Sequence, residues 1–427
     1  MRPYHIATLC RMMKNQWRKP EELAEIQNKK LRKLIRHAYD NVPFYRNMFM
    51  SHGLKPDDIR TTSDLQKIPI MTKSIFKSTS IDELTAQNIG KEKLKILRTS
   101  GSTGIPLEFL FHDYAHAIYK LSFARAYFSN GVGLRDRIAQ IVSLHRLPEK
   151  RPWYEYLGLW RRRYLKSFED PREIIEKLKM WKPDVLIGTA MTLKMLALTM
   201  RDEKVILGFQ LKAIFSSSEL LDRVSRALIA EVFRTKVIDI YGSVEGGGCI
   251  AYECGECGGY HINTDTVVLE LVADGKRVSP GQRGEVLITN LHSYAMPIIR
   301  YNLEDIAILS NGPSRCGRGF PLLKDIEGRR NEFITLPSMR KLPPEAVIIA
   351  FHPVKGIFQW RLIQLDLDRI KVEFIRSSDF DSYTLKHAEH RIKKLTGKDM
   401  EILFENVDHI DWGATGKRKL IHSLVER

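Results

Sequence analysis

Between residues 137 and 241, short apolar runs of β type alternate with amphipathic helical ones, and few architectures accept that order. Residues 137–144, 185–188, 211–216 and 237–241 read as strands. Residues 171–181, 192–200 and 221–233 carry apolar side chains at three- and four-residue steps and read as helices. A sheet whose strands alternate with helices is covered by those helices, so the segment predicts an α/β fold. Upstream, Leu23, Ile26, Leu31, Leu34, Ile35 and Ala38 predict a helix within residues 22–50, interrupted at 41–45. Residues 65–73 read as a loop with Thr72 as a helix N-cap. Residues 264–310 carry strands with little helix, and 311–327 read as strand-poor. Beyond them lie a helix at 382–395 and strands at 370–375 and 400–404. The 427 residues exceed one ordinary core. The expected division is a large N-terminal domain, 1–327, built from α/β subdomains plus a β-rich part, and a small α+β C-terminal domain, 328–427.

Composition narrows the partners. No run of about 18 apolar residues occurs, so no membrane span is expected. The first ten residues are too short and polar for a secretory segment, and a cytoplasmic protein is expected. The net charge of +17 favours anions: nucleotides, coenzyme A, acidic carrier proteins, nucleic acid or anionic lipid. The excess is spread along the chain, which argues against a dedicated nucleic-acid arm. Five cysteines, an odd number with three crowded together, do not suit a disulfide framework, and metal binding is the better reading of the crowd.

Four segments carry groups suited to nucleotide chemistry. Thr99, Ser100, Gly101, Ser102, Thr103 and Gly104 follow an apolar run at 94–97. Glycines let a backbone turn tightly, and hydroxyls with free amides hold phosphate oxygens. No lysine follows the second glycine, so the loop is not of the Walker type. Residues 237–245 run a buried strand into Tyr241, Gly242 and the carboxylate Glu245. An aromatic ring there can stack on adenine and a carboxylate can hold Mg²⁺, at the carboxyl end of a strand where α/β sheets bind ligands. Residues 296–305 close an apolar strand with Asp305, an acceptor for ribose hydroxyls. Lys417 stands on a loop flanked by Gly413 and Gly416, able to reach an anion. Taken singly, these are equally a surface loop, a core tyrosine, a turn aspartate and a solvated basic loop.

In this order the four segments resemble the motifs of the adenylate-forming superfamily of acyl-CoA synthetases and adenylation domains. His37 to Tyr45 (HAYDNVPFY) and Ile68 to Lys73 (IPIMTK) are similar to the phenylacetate–CoA ligase branch, especially its capsular-polysaccharide-biosynthesis-like members. The resemblance covers about residues 31–420. It implies ATP-dependent activation of a small carboxylic acid as an acyl adenylate, with pyrophosphate release. A small mobile C-terminal domain then rotates, and the acyl group passes to an acceptor. It further implies that Thr99 to Gly104 hold the β- and γ-phosphates and that Tyr241, beside Gly242, faces adenine, with Ser218 and Glu219 nearby. Glu245 would bind Mg²⁺, and Asp305 and Arg329 would approach the ribose. Asn331 would sit at the hinge, and Lys417 would bridge the substrate carboxylate and the α-phosphate. Thr99, Glu245 and Lys417 form the implied catalytic set.

Two positions depart from that pattern: Glu304 stands where the motif usually has glycine, and no glycine occurs near Ser338–Met339, where relatives place one. Met339 belongs to a loop that lines the pantetheine tunnel in relatives, so the acceptor stays open among the CoA thiol, a carrier-protein thiol and an amine. The departures also motivate an alternative, a degenerate, non-catalytic nucleotide- or nucleic-acid-binding member. Cys254 and Cys257, followed by His261, offer three ligands for tetrahedral Zn²⁺. Cys316, in a Cys-Gly-Arg like that of related ligases, completes the set, with Cys249 in reserve. Residues 153–165 combine aromatic rings with three consecutive arginines. They suit an acidic carrier protein, a CoA phosphate or a membrane surface, or equally a packed helix with a solvated edge.

Overall fold

A computed structural model describes residues 3–99, 107–143, 147, 152–410 and 420–425. It opens with three helices, α1 (Pro3–Asn15), α2 (Pro20–Asn41) and α3 (Pro43–Ser51). The expected interruption is a single residue, Val42. Pro43 has no amide hydrogen and fits only in a first turn, so it ends one helix by starting the next. The helix α4 (Lys73–Ser78) begins where expected, with the Thr72 hydroxyl accepting from the Ile75 amide, and α5 (Ile81–Leu84) follows. An antiparallel pair, β1 (Lys95–Arg98) and β2 (Glu108–Phe111), leads into α6 (Asp113–Ser129).

The alternation then unfolds as β3 (Ile138–Val142), α7 (Trp153–Tyr156), β4 (Arg162–Lys166), α8 (Pro171–Trp181), β5 (Val185–Gly188), α9 (Ala190–Asp202), β6 (Ala213–Ser217), α10 (Arg223–Phe233) and β7 (Val237–Ser243). Local chemistry explains why α8 is so legible. Asp170 caps it by accepting from the Arg172 amide, Pro171 occupies the first position, and Lys182 ends it in a left-handed turn. Ile174, Ile175 and Leu178 face the core, each contributing roughly 1.5–3 kcal/mol on burial. The aromatic, basic stretch is no continuous helix: one turn, α7, is followed by the edge strand β4.

Seven further strands follow: β8 (Gly248–Cys254), β9 (Gly259–Ile262), β10 (Val267–Ala273), β11 (Lys276–Arg277), β12 (Arg283–Asn290), β13 (Tyr301–Leu309) and β14 (Leu322–Arg329). Among the described residues they join the first set in one 12-stranded sheet, ordered β11-β10-β12-β13-β14-β9-β8-β7-β6-β5-β3-β4. The block β3 to β7 is parallel, and pairing turns antiparallel at β7–β8. The strand-poor expectation for 311–327 is corrected here. β14 starts at Leu322 and pairs with both β13 and β9. Lys324, Asp325 and Glu327 break its apolar alternation, and its pairing partners rather than its own pattern hold it in place. The expected division after residue 327 falls inside this strand.

The remaining residues form β15 (Ile334–Thr335), β16 (Lys341–Leu342), α11 (Pro344–Phe351), β17 (Ile357–Asp366), β18 (Arg369–Arg376), α12 (Thr384–Thr396), β19 (Glu401–Asn406) and β20 (Ile421–Ser423). A four-stranded sheet, β19-β18-β17-β20, closes a separate core with α11 and α12 around Leu362, Val372, Ile348 and Ile392. No helix among the described residues is long and apolar enough to cross a membrane.

One buried ion pair ties the N-terminal helices to the large sheet. Arg125 on α6 donates to Asp265 at 2.8 Å, with both side chains almost wholly enclosed, and Asn15 adds a bond of 2.9 Å to the same carboxylate.

Candidate active site

The carboxyl ends of β6 and β7, the middle of β13 and the end of β14 gather the predicted nucleotide ligands; Asp305 does not close a strand as expected but stands inside β13, which continues to Leu309 because it pairs with β12 and β14. The Tyr241 hydroxyl donates to Asp305 at 2.6 Å. Burial first, and then the charge of Asp305, hold the phenol protonated and therefore a donor. Arg329 lies opposite Asp305 in the β13–β14 register, and its guanidinium is 3.5 Å from the other carboxylate oxygen. Burial opposes its charge, but Asp305, Glu332 and Glu245 keep it cationic. Glu245 follows on the β7–β8 connection, and burial raises its pKa while Arg329 and a Ser243 hydrogen bond pull it back. That connection needs its glycines. A Cβ at Gly242 would lie 2.6 Å from the Gly248 carbonyl, and Gly248 itself has φ +111° with the Tyr119 carbonyl close behind it. Ser218, with φ +75°, follows the end of β6 beside Tyr241, and Glu219 accepts from the Met191 amide at the start of α9.

Thr99 closes the β1–β2 pair. Its amide donates to the Leu107 carbonyl at 2.9 Å, and its hydroxyl accepts from the Leu107 amide at 3.0 Å. Two residues away, Leu97 pairs with Phe109, whose ring lies 6.4 Å from that of Tyr301 on β13. Ser100, Gly101, Ser102, Thr103, Gly104 and Lys417 lie outside the described residues.

The two branch-signature segments both pack on the strand that delivers Asp305. The Tyr45 hydroxyl donates to the Pro297 carbonyl and accepts from the Ile299 amide. Met71 bonds through its backbone to Arg300 and Asn302, and Arg300 reaches back to the Ile68 carbonyl at 2.6 Å. This pairing places Lys73, the first residue of α4, within the field of Glu245, Glu304 and Arg329. Burial and the neighbouring cations Lys77 and Arg329 lower its pKa, and the two glutamates oppose them. Sequence reasoning gave Lys73 no role. The available signal was a lysine directly after a helix cap, which is also an ordinary surface pattern. Glu304 (φ +62°) and Met339 (φ +66°) both hold left-handed backbone.

A second cluster stands at the far end of β8. The ligand atoms of Cys254, Cys257, His261 and Cys316 all lie within 4.8 Å of one another. Tetrahedral zinc with Zn–S near 2.3 Å sets its sulfurs about 3.8 Å apart, so the donor set fits that geometry. Burial, then Arg318, pushes His261 down to about 4, leaving a neutral ring at neutral pH. Cys316 is held down to about 7: burial opposes the shift, and hydrogen bonds from Ser314 and the Arg318 backbone overcome it. The reserve ligand Cys249 is not in the cluster; its buried thiol donates to the Ala251 carbonyl instead.

Residues 337–423 match the CapK C-terminal domain family. The phenylacetate-coenzyme A ligase of Escherichia coli (strain K12) is 27% identical over 414 residues, covering 91% of this chain and 92% of that one. Protein CapK of Staphylococcus aureus is 24% identical over 415 residues, covering 94% and 89%. In fold, the chain resembles 2-hydroxyisobutyryl-CoA ligase in its postadenylation state, with TM-score 0.77, 19% identity, and 96% and 91% of the two chains covered. Against the same ligase in its thioesterification state the TM-score is 0.63 at 19% identity. Over about nine-tenths of its length the chain is thus similar to phenylacetate-coenzyme A ligases and to protein CapK, and it shares the fold of a CoA ligase.

Proposed function

We propose that the chain uses ATP to convert a small carboxylic acid into an acyl adenylate, releasing pyrophosphate, and then transfers the acyl group to the thiol of coenzyme A. The observation that carries this reading is the Tyr241–Asp305–Arg329 chain of contacts, with Glu245 at its side, which joins the carboxyl end of the parallel strand β7 to the antiparallel strands β13 and β14. The relatives named phenylacetate-coenzyme A ligase, and the fold shared with a CoA ligase solved with an acyl adenylate, support it.

In this reading Asp305 accepts from the ribose hydroxyls, and the Tyr241 hydroxyl and Arg329 fix its orientation. The Tyr241 ring lies against adenine, beside Gly242, Ser218 and Glu219. Thr99 and the loop through Gly104 take the β- and γ-phosphates. Glu245 would hold Mg²⁺, which shields phosphate charge. Lys417 is assigned by resemblance to the substrate carboxylate and the α-phosphorus, where its charge offsets the charge developing between them. The carboxylate oxygen bonds to the α-phosphorus as the bond to pyrophosphate breaks. Attack by the CoA sulfur on the acyl carbon then expels AMP. Little covalent chemistry falls to the protein; positioning and electrostatics carry the reaction.

The C-terminal part turns at Asn331, just after β14. Cys254, Cys257, His261 and Cys316 hold a structural zinc ion. β8 puts it roughly 20 Å from the Glu245 loop at about 3.3 Å per residue, too far to touch the reacting atoms. A cytoplasmic location, with its supply of ATP and reduced thiols, belongs to the same proposal.

Incubation with Mg·ATP and a panel of aromatic, aliphatic and amino acids, with hydroxylamine as trap, should release pyrophosphate with at least one acid. No release with any of them, where a known ligase works, would sink the proposal. Lys417→Ala and Glu245→Ala should each slow turnover by about 100-fold or more, and full activity in either overturns its role. Mass spectrometry with CoA, carrier protein or amine added identifies the acceptor.

A further inference from the structure

We infer that Arg318 couples occupancy of the Cys254–Cys257–His261–Cys316 centre to the seating of the N-terminal helix α1, so that the metal staples that helix to the large sheet. The inference rests on the zinc reading above and extends it to what the metal does.

The guanidinium of Arg318 joins two groups of partners. One of its terminal nitrogens donates to Cys316 Sγ at 3.1 Å and to Cys254 Sγ at 3.4 Å. Its Nε donates to the side-chain oxygen of Gln16 at 3.2 Å, and its other terminal nitrogen to the Ser129 carbonyl at 3.1 Å. The same guanidinium lies over the Trp17 ring, 4.9 Å from the centroid. Gln16 and Trp17 form the turn that ends α1, and Ser129 ends α6.

The turn that carries Cys316 is fitted to that junction. The Gly319 amide donates to the Gln16 carbonyl at 2.9 Å, and a Cβ on Gly319 would lie 1.8 Å from the Arg18 carbonyl oxygen. Gln16 is buried, and its side-chain oxygen also accepts from Tyr252 at 2.8 Å and Ser129 at 2.9 Å. Residues 16–18 are thus held from two sides: Arg318 and Gly319 on the Cys316 turn, and Tyr252 and Ser129 on β8 and α6.

Charge explains why an arginine stands here. Three thiolates and a neutral imidazole around a divalent zinc ion carry one net negative charge. A half-buried anion of that kind is costly unless paired and hydrogen-bonded. Arg318 supplies the compensating charge and two N–H···S contacts, the kind of outer contact whose loss lowers metal affinity by about 10- to 100-fold. Without the metal no shared ion joins the two sulfurs on which Arg318 rests. The fixed arrangement that directs Arg318 toward Gln16 and Trp17 is then lost.

The test combines metal analysis with hydrogen exchange on the full-length protein. Wild type should retain about one zinc per chain, and chelation should speed exchange in peptides covering residues 3–19 by tenfold or more, reversed by added Zn²⁺. Arg318→Met should bind zinc at least tenfold more weakly in competition with a chromophoric chelator. Fully loaded with zinc, it should still exchange rapidly at 3–19, and Arg318→Lys should restore part of the affinity through charge alone. If wild type binds no zinc, the metal reading itself fails and the staple with it. If zinc binds but exchange at 3–19 is the same with and without it, the coupling is overturned while the metal site stands. The wild-type comparison needs no variant to fold.

Discussion

Asp239 gives the sharpest quantitative test of the packing beneath the site. It sits on β7 two residues before Tyr241 and is buried. Tyr260 donates to it at 3.0 Å, and the Asp239 amide donates to Glu253, which Arg226 grips with two contacts of 2.9 Å. Arg226 makes its contacts with Glu253 and reaches Asp239 only through its field, which offsets part of the burial. Burial, then Glu253, pushes its carboxyl up to about 7. An acid whose folded pKa exceeds its unfolded value binds its proton more tightly when folded. Its stabilisation is therefore complete below the ordinary carboxylate range and is lost as pH rises toward 7. Between pH 5 and pH 8 this group alone removes about 3 kcal/mol. Asn keeps an acceptor for Tyr260 and has no proton to lose. The melting temperature of Asp239→Asn relative to wild type should therefore climb by roughly 4 °C from pH 5 to pH 8, taking about 2 cal/mol/K of unfolding entropy per residue over the large domain. Paired thermal melts at matched ionic strength measure it. Subtracting wild type at each pH cancels the other titrating groups. A difference that stays flat across the range, or falls, refutes the assignment of a buried, incompletely compensated carboxyl.

Three other outcomes follow from named contacts. Tyr241→Phe leaves Asp305 without its 2.6 Å donor and should raise the KM for ATP about 5- to 30-fold at nearly constant kcat, the effect of roughly 1–2 kcal/mol; unchanged kinetics would remove this pair from nucleotide binding. Met339→Gly should change stability by under about 1 kcal/mol, because relief of left-handed strain offsets the freer unfolded chain. It should speed acyl transfer to CoA and leave pyrophosphate release unchanged, and slower transfer would refute the view that Met339 fills the tunnel. Arg125→Met removes the cation paired with buried Asp265, leaving only the field of Lys30, and should cost about 3 kcal/mol; denaturant melts showing a loss under about 1 kcal/mol would contradict the pair's role.

The sequence was readable where one segment contains its own reasons. Pro171–Trp181 has its cap, its proline and its apolar stripe in consecutive residues, and Val185–Gly188 is a short, wholly apolar run. Leu322–Arg329 has no such pattern, because its place depends on β9 and β13 on either side. The site divides the same way. Tyr241, Glu245 and Asp305 could be singled out from local motifs, but their meeting rests on a reversal of strand direction at β8 that no local window contains. Cys254, Cys257 and His261 were legible by spacing. Cys316 comes beside them only because His261 pairs with Leu322, which brings the preceding turn alongside. Lys73 was visible only as the end of a branch signature and its place at the site was not, since that depends on Met71 pairing with residues more than 200 positions away.

The strand Gly248–Cys254 has both ends fixed, one in the carboxylate loop that begins at Tyr241 and the other in the cysteine cluster. Strand side chains alternate between faces, so removing or adding one residue there would turn either the glycine or the cysteine to the wrong side. Substitutions within the strand can be absorbed one at a time, but a change in its length cannot. Descendants of this gene that lose the cysteines are therefore free to vary the far end of β8, while its near end keeps count from Glu245.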